Sequence, residues 1–511
     1  MLATVTDVEV SVLYRLLSIG GIFVFIALAW VLSVDRKNVS WKTVGWGIAL
    51  QFIFAAVVLN PAVQAPLFKI VNGGVDQLLF FAEEGGKFIF GPIPDSSQEG
   101  KLLFENLQMI NVFAAGSLEA LKAEGTITEQ EFALLIGSTP DVINAQAQVW
   151  LNSGAIDQAK YELLTTTTVP NSNAMAVGSY HPANRNVAFF IIMPTIIFFS
   201  SLMAILYQLG VMDRIVRVIA LAMQKTMGTT GPESLSAAAN IFVGQTEAPL
   251  VVKPYVEKMH KSELHAVMTG GFATVAGGVL ATYVGMLAMK LPNIAGHLVA
   301  ASIISAPAAL AISKVMWPMP KDAMEQAEVN LQESTTKPYG NLVEAAAIGA
   351  KEGMTLVLNV LAMLIAFVGL VALVNWGLGF ISLGGADLTL ERILGWVFSP
   401  LAFCMGIPWN EAAMVGELLG QKLVLTEFIA YENLSKITND PNQEISRRSA
   451  LIASYALCGF ANFASIGIQI GGIGAIAPSR IKDLAAMGIR AMIGGTLAAF
   501  MTATIAGVLL S

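Results

Sequence analysis

Long apolar runs separated by short polar breaks dominate this chain. Runs near residues 11–33, 44–61, 186–208, 264–289, 292–316, 345–378, 449–475 and 488–510 are each long enough to cross about 30 Å of hydrocarbon as a helix. They predict about eight transmembrane helices. Two further apolar segments, near 222–260 and 388–433, carry polar residues at their middles. Both are read as re-entrant hairpins, because irregular backbone at membrane depth survives only where protein or a water-filled cavity satisfies it. Residues 62–90 are amphipathic and predict a helix lying along the outer interface.

Residues 92–184 are polar and predict a small helical insert on the outer side. There Thr128 and Glu131 form a capping box, and Gly137 follows the run that ends at Ile136. The pattern Ile127-Thr128…Phe132…Leu134-Leu135 recurs roughly 30 residues on, as Ile156-Asp157…Tyr161…Leu163-Leu164. The chain thus divides into N-terminal spans with an interfacial helix (1–91), the extracytoplasmic insert (92–184) and a transport core (185–511). The fold class predicted is an all-α integral membrane protein.

Composition agrees with the pattern. Of 511 residues, 55 % are apolar and 13 % charged, against roughly 25 % charged in a soluble domain. The net charge of −7 argues against a nucleic-acid partner. Cys404 and Cys458 both lie in apolar stretches and read as small buried residues rather than a disulfide framework. Basic residues set the orientation. Asp7 and Glu9 precede the first span, whereas Arg36, Lys37 and Lys42 follow it, so the N-terminus is expected outside. Arg214, Arg217, Lys253, Lys258, Lys261, Arg480 and Lys482 agree; the pair Arg447–Arg448 falls on the wrong side. No basic n-region precedes the first span, so a cleavable signal peptide is not expected.

The candidate chemistry sits in Asn240-Ile-Phe-Val-Gly-Gln-Thr-Glu-Ala-Pro-Leu250. An ionisable residue such as Glu247 at membrane depth is rare and marks a functional site by default. A second Thr-Glu pair lies in Gly420-Gln-Lys-Leu-Val-Leu-Thr-Glu-Phe-Ile-Ala-Tyr431. Each hairpin precedes a glycine-interrupted polar span, Thr269…Thr274…Gly278 and Cys458…Asn462…Ser465…Gly467. Paired interrupted segments in two halves point to a secondary transporter whose site lies between them. Gln245 and Asn462 both donate and accept; Glu247 and Glu427, if ionised, only accept. Phe460 and Phe428 offer flat faces. Such a set favours a neutral polyhydroxyl or heterocyclic substrate. Lys422, about a turn from Glu427, is the exception and a candidate to neutralise it. A lone carboxylate also serves as partner to a helix N-terminus, and Thr274 and Ser465 are types common in helix packing. His181, His260, His265 and His297 lack metal-ligand spacing. The run Gly467…Gly471-Gly472-Ile-Gly474 lacks the Gly-Lys-Ser/Thr of a P-loop and reads as helix packing. No nucleophile–base arrangement stands out, so an enzyme is not expected.

These two hairpin motifs, with Phe460-Ala-Asn462-Phe-Ala-Ser465, resemble the concentrative nucleoside transporter family of sodium- or proton-coupled symporters. The resemblance covers the membrane portion from the first span to the C-terminus. It implies eight spans, two re-entrant hairpins in inverted repeat, an interfacial helix, a homotrimer and elevator-type motion. It implies that Gln245, Thr246 and Glu247 face the nucleobase, with Val279 lining that end. Glu427, Asn462 and Ser465 would hold the ribose hydroxyls beside Phe460. Sodium would bind the backbone carbonyls of Asn240, Val243 and Val275 and the hydroxyls of Thr246 and Thr274; oxygen-only ligation suits a hard cation. No cofactor is implied beyond sodium as coupling ion, and the location implied is a bacterial inner membrane. Thr426 stands where the family usually has Asn, and Thr274 where it often has Ser. The alternatives are a proton-coupled nucleoside or nucleobase carrier, a membrane nucleoside-binding protein without a transport cycle and, more distantly, a metal-assisted membrane enzyme.

Overall fold

The computed structural model describes residues 12–90, 149, 152, 186–288, 290–326, 339–383, 386–439 and 445–510. Most of the insert expected over 92–184, including His181, lies outside the described residues. The chain divides into two compact units, Met1–Ala82 with Thr195–Ser511, and Glu83–Pro194. The candidate site residues described below belong to the first.

The N-terminal spans are α1 (Val12–Val31) and α2 (Trp41–Val58), followed by the long helix α3 (Pro61–Phe90). Ser40 caps α2 by accepting from Thr43 N–H. Next come α4 (Asn186–Gln208) and the amphipathic α5 (Val211–Met227), which meet at 79°. The short helices α6 (Gly231–Ala239), α7 (Ala248–Val251) and α8 (Lys253–Val256) form the first hairpin. A broken span, α9 (Lys261–Ala273) and α10 (Gly277–Leu287), leads to α11 (Ile294–Met316) and the short α12 (Lys321–Gln326). The second half repeats this order. It holds α13 (Leu342–Leu378), α14 (Leu390–Cys404), a hairpin of α15 (Trp409–Val424) and α16 (Glu427–Asn439), the broken span α17 (Arg447–Leu457) and α18 (Phe463–Ile476), and α19 (Ile481–Leu509). Two residue pairs at Ser382–Leu383 and Ala386–Asp387 make a minimal antiparallel ladder between α13 and α14, the only strands among the described residues.

Among the described residues, six helices are long and apolar enough to cross a membrane, or up to eight if each bent pair is one span. Two hairpin boundaries differ from the sequence expectation. The first hairpin, expected near 222–260, starts at Gly231, because α5 runs on to Met227. Gly228, with φ of 68°, ends α5 in the left-handed conformation that suits glycine. Residues 388–433 hold three helices rather than one hairpin. There α14 and α15 meet at 120°, separated by Gly406 and Pro408, and the turn bearing Glu427 comes later, at Leu425–Thr426.

Burial separates the helices by job. The apolar window of α11 is 89 % buried, whereas that of α13 is 22 % buried. Helices α9, α11 and α19 pack on one another and form the centre. Conversely, α13 turns Val343, Ile365, Leu373 and Trp376 outward, as a lipid-facing helix does. Trp376 and Phe380 meet edge to face at its C-terminal end, in the manner of an aromatic belt. The start of α11 is held by α3: Asn72 Nδ2 donates to Asn293 Oδ1 at 2.9 Å, and Gly296 N–H donates to Asn72 Oδ1 at 3.1 Å.

The expected basic outlier has a structural explanation. Arg448 turns inward and donates to the carbonyls of Gly406 at 2.6 Å and Gly507 at 2.5 Å. Its charge serves helix ends rather than a loop. Arg480 acts likewise on the carbonyls of Glu257 and Met259. Both cysteines are free, with Cys458 buried and Cys404 half-buried.

Candidate functional site

Two helix breaks define the centre of the core. Between α9 and α10, Thr274 and Ala276 take extended backbone, φ −121° and −63°, before Gly277 restarts the helix. Between α17 and α18, Cys458 is extended, Gly459 has φ of 125°, and Asn462 caps α18 by accepting from Ser465 N–H at 2.8 Å. The breaks touch. A Cβ on Gly459 would lie 2.6 Å from the Phe272 carbonyl oxygen and 2.9 Å from Ala273, so glycine is required by both torsion and space.

The first hairpin's tip, residues 240–247, joins this crossing. Gly277 N–H donates to the Phe242 carbonyl at 3.1 Å, and Ser302 Oγ donates to the Ile241 carbonyl at 2.8 Å. A Cβ on Gly472 of α18 would fall 2.8 Å from Thr246 Cγ2. The glycine run therefore does serve packing here: it lets α18 approach the tip.

A continuous set of hydrogen bonds then runs across the two halves. Glu427, at the start of α16, accepts from Tyr283 on α10 and from Asn462 Nδ2, each at 3.0 Å. Asn462 Oδ1 holds Ser465 N–H, and Ser465 Oγ accepts from Gln245 Nε2 at 3.1 Å. Gln245 Oε1 in turn accepts from Gln469 Nε2 at 3.1 Å. Glu427, Asn462, Ser465, Gln245 and Gln469 are all buried. Four residues singled out in the sequence thus meet in one network drawn from α16, α18 and the first hairpin.

Other candidates stand beside it. Val279 is buried near the start of α10, and Phe460 lies in the second break, two residues before Asn462. Glu247 precedes α7, and its Oε2 is buried without a hydrogen-bond partner among the described residues. The cation candidates cluster around tip and break. Asn240 Oδ1 is buried and unpartnered, while its Nδ2 donates to Ser236. Thr274 Oγ1 donates back to the Gly270 carbonyl at 2.9 Å, which leaves its lone pairs free to accept. Val243 and Val275 are buried in the same two segments, and backbone carbonyls and hydroxyls of this kind are the donors a hard cation takes. Among the described residues no cluster of His, Cys, Asp or Glu forms a site for a transition metal. His260, His265 and His297 are bonded instead to Ser262, Ser313 and Tyr455.

Lys422 makes no direct contact with Glu427, although the two buried groups still attract each other at longer range. The Lys422 ammonium donates to the Ala456 carbonyl at 3.0 Å, and no ion pair joins the two side chains. The sequence reading also missed three partners. Tyr283 holds Glu427 and stacks on Tyr431, with ring centroids 4.1 Å apart. Gln469 holds Gln245. Both are uncharged polar groups in apolar runs, a weaker signal than the carboxylate of Glu247. The third is a buried ion pair, Glu233 with Lys314 at 2.5 Å, which ties α6 to α11. Lys314 also donates to Ser262 Oγ at 2.9 Å, and Thr230 Oγ1 donates to Glu263 at 2.7 Å.

Known proteins are similar to this chain in sequence and architecture. Family models described as "Na+ dependent nucleoside transporter" match residues 20–93 (N-terminus) and 297–507 (C-terminus), and one described as "Gate: Nucleoside recognition" matches 189–290. A Haemophilus influenzae protein named "Uncharacterized transporter" is 37 % identical over 96 % of each chain. Mouse "Sodium/nucleoside cotransporter 1" is 33 % identical over 97 % of this chain and 64 % of its own. The chain thus spans under two thirds of that mammalian relative. Among solved structures, CNTnw in an inward-facing substrate-bound state superposes with a TM-score of 0.72 at 35 % identity, covering 97 % of this chain and 98 % of that one. A CNTnw variant in an outward-facing state matches equally, with a TM-score of 0.72 at 36 % identity, 97 % of this chain and 99 % of that one. These relatives are transporters rather than enzymes.

Proposed function

The chain belongs to the Na+-dependent nucleoside transporter family, and from that premise we propose that it is a secondary active symporter taking up nucleosides with sodium. The observation that carries this reading is the hydrogen-bonded network from Glu427 through Asn462 and Ser465 to Gln245, built where two broken spans cross. Its donors and acceptors suit a neutral polar ligand, and no Lys or Arg takes part in it.

In this reading Gln245, Thr246 and Glu247 contact the base, with Val279 beside it. Glu427, Asn462 and Ser465 hold the ribose hydroxyls next to Phe460. Sodium, a co-transported substrate, takes the carbonyls of Asn240, Val243 and Val275 and the hydroxyls of Thr246 and Thr274. The unpartnered Asn240 Oδ1 and the freed lone pairs of Thr274 support that placement. Because cation and base share one hairpin tip, sodium orders the segment that the nucleoside then meets. The hairpin-bearing core then carries both across by elevator-type motion; the outward-facing and inward-facing forms of CNTnw support such a cycle. We further propose a homotrimer in a bacterial inner membrane with the N-terminus outside.

One observation favours a second reading. A buried carboxylate oxygen without a partner, Glu247 Oε2, is also a place for a proton, so proton coupling is the alternative. Proteoliposomes loaded with unlabelled uridine or adenosine should take up the labelled nucleoside by counterflow. Saturable binding without counterflow would instead identify a receptor with no transport cycle.

A further inference from the structure

Gln469 donates twice and accepts nothing. Its Nε2 reaches the Met268 carbonyl and Gln245 Oε1, both at 3.1 Å, while its own Oε1 is buried without a partner. A backbone carbonyl only accepts, so Met268 fixes which end of the Gln469 amide faces inward. That end must be the NH2 group, and it can only meet Gln245 through Oε1. Gln245 is then obliged to present Nε2 to Ser465 Oγ, which is the bond observed. Ser465 therefore accepts from Gln245, and its own hydroxyl hydrogen is free for another acceptor. The direction of every bond in this chain follows from one main-chain carbonyl.

Space has been kept for the pair. A Cβ on Gly271 of α9 would lie 2.8 Å from Gln469 Nε2 and 2.9 Å from Gln245 Cβ. Gln469 is fully buried, on α18, a helix that also touches the hairpin tip through Gly472. A buried amide that leaves one acceptor unsatisfied is destabilising in isolation. What it provides in return is the polarity of Gln245.

We propose that Gln469 is a positioning residue that sets the orientation of the Gln245 amide, and thereby the hydrogen-bonding edge of the nucleobase the transporter prefers. This rests on the nucleoside-transport reading above. Held this way, Gln245 offers the ligand one N–H and one remaining lone pair in a fixed sense. Uridine and cytidine exchange donor and acceptor at ring positions 3 and 4, as inosine and adenosine do at positions 1 and 6. A fixed amide discriminates within each pair, and a freely flipping one does not.

The test is transport kinetics for uridine against cytidine and inosine against adenosine, in proteoliposomes, with two variants of matched shape. Gln469→Met removes the donor and frees Gln245 to take both orientations. Gln469→Glu cannot donate and draws the Gln245 NH2 group toward itself. Within the pair the wild type discriminates, the KM ratio should move toward one in Gln469→Met. It should shift by about fivefold or more in Gln469→Glu, with Vmax and the sodium dependence retained. Equal changes in KM for both members of each pair would overturn the proposal and leave Gln469 as packing. Should Gln469→Glu fail to reach the membrane, Gln469→Met decides alone. Failure of the transport reading looks different: the wild type would take up none of the four nucleosides.

Discussion

Glu427 accepts from Tyr283 and from Asn462, and each of those donors has been oriented toward it by its own helix. A carboxylate suits this position because it only accepts. An amide in its place turns an NH2 group toward one of the two donors. Glu427→Gln is therefore expected to lower nucleoside uptake by more than about tenfold, equivalent to roughly 1.4 kcal/mol. A free nucleobase, which has no ribose to place, should lose less. Unimpaired uptake of both would make Glu427 a structural group. The Glu233–Lys314 pair yields a second prediction at this scale. Both groups are buried, so Lys314→Met alone leaves an uncompensated carboxylate and should cost about 3–5 kcal/mol in detergent stability. The double variant Glu233→Gln with Lys314→Met should recover much of that loss; an additive result would show that the pair is not coupled. Glu247 and Glu427 were legible in the sequence because a charge in an apolar run stands out. Tyr283 and Gln469 were not, because a tyrosine or an amide in an apolar run is ordinary until its partner is known. That partner lies 144 residues away for Tyr283 and 224 for Gln469.

At the scale of elements, the two breaks matter more than the hairpins alone. Gly459 holds φ of 125° against the backbone of Phe272 and Ala273. Gly459→Ala should be destabilising by about 1–3 kcal/mol from the torsion alone, with the steric contact in addition. It should lower the apparent melting temperature in detergent and impair uptake. Gly467→Ala is the matched control on α18, where nothing lies within 4 Å and helical backbone prefers alanine. It should be neutral or slightly stabilising, and equal damage from both would mean the crossing is not specially constrained. The spans themselves followed from apolar length, and all eight expected runs correspond to helices or broken helices. The hairpin limits did not follow. Hydropathy does not distinguish an amphipathic helix such as α5 from the first arm of a hairpin. In 388–433 it merged α14, α15 and the start of α16 because the turns between them, 405–408 and 425–426, carry no charged residue. The left-handed Gly228 and the Gly406–Pro408 turn mark these ends, but glycine and proline are frequent in membrane helices and punctuate weakly there.

Across the whole molecule, the second half repeats the element order of the first, and the proposed site takes residues from both. The repeat was legible as two Thr-Glu motifs, each followed by an interrupted span. The crossing of those spans was not, since it depends on three-dimensional contact between residues near 272 and 459. The shared hairpin tip has a thermodynamic consequence. If Asn240, Val243 and Thr246 hold sodium while Gln245 and Glu247 meet the base, sodium must raise nucleoside affinity and nucleoside must raise sodium affinity by the same factor. The most direct measurement is nucleoside uptake into proteoliposomes with external sodium replaced by choline at fixed pH. Sodium-coupled transport predicts that accumulation collapses and that the nucleoside KM rises as sodium falls. Unchanged uptake in choline would contradict it and leave a proton, held at Glu247, as the coupling ion.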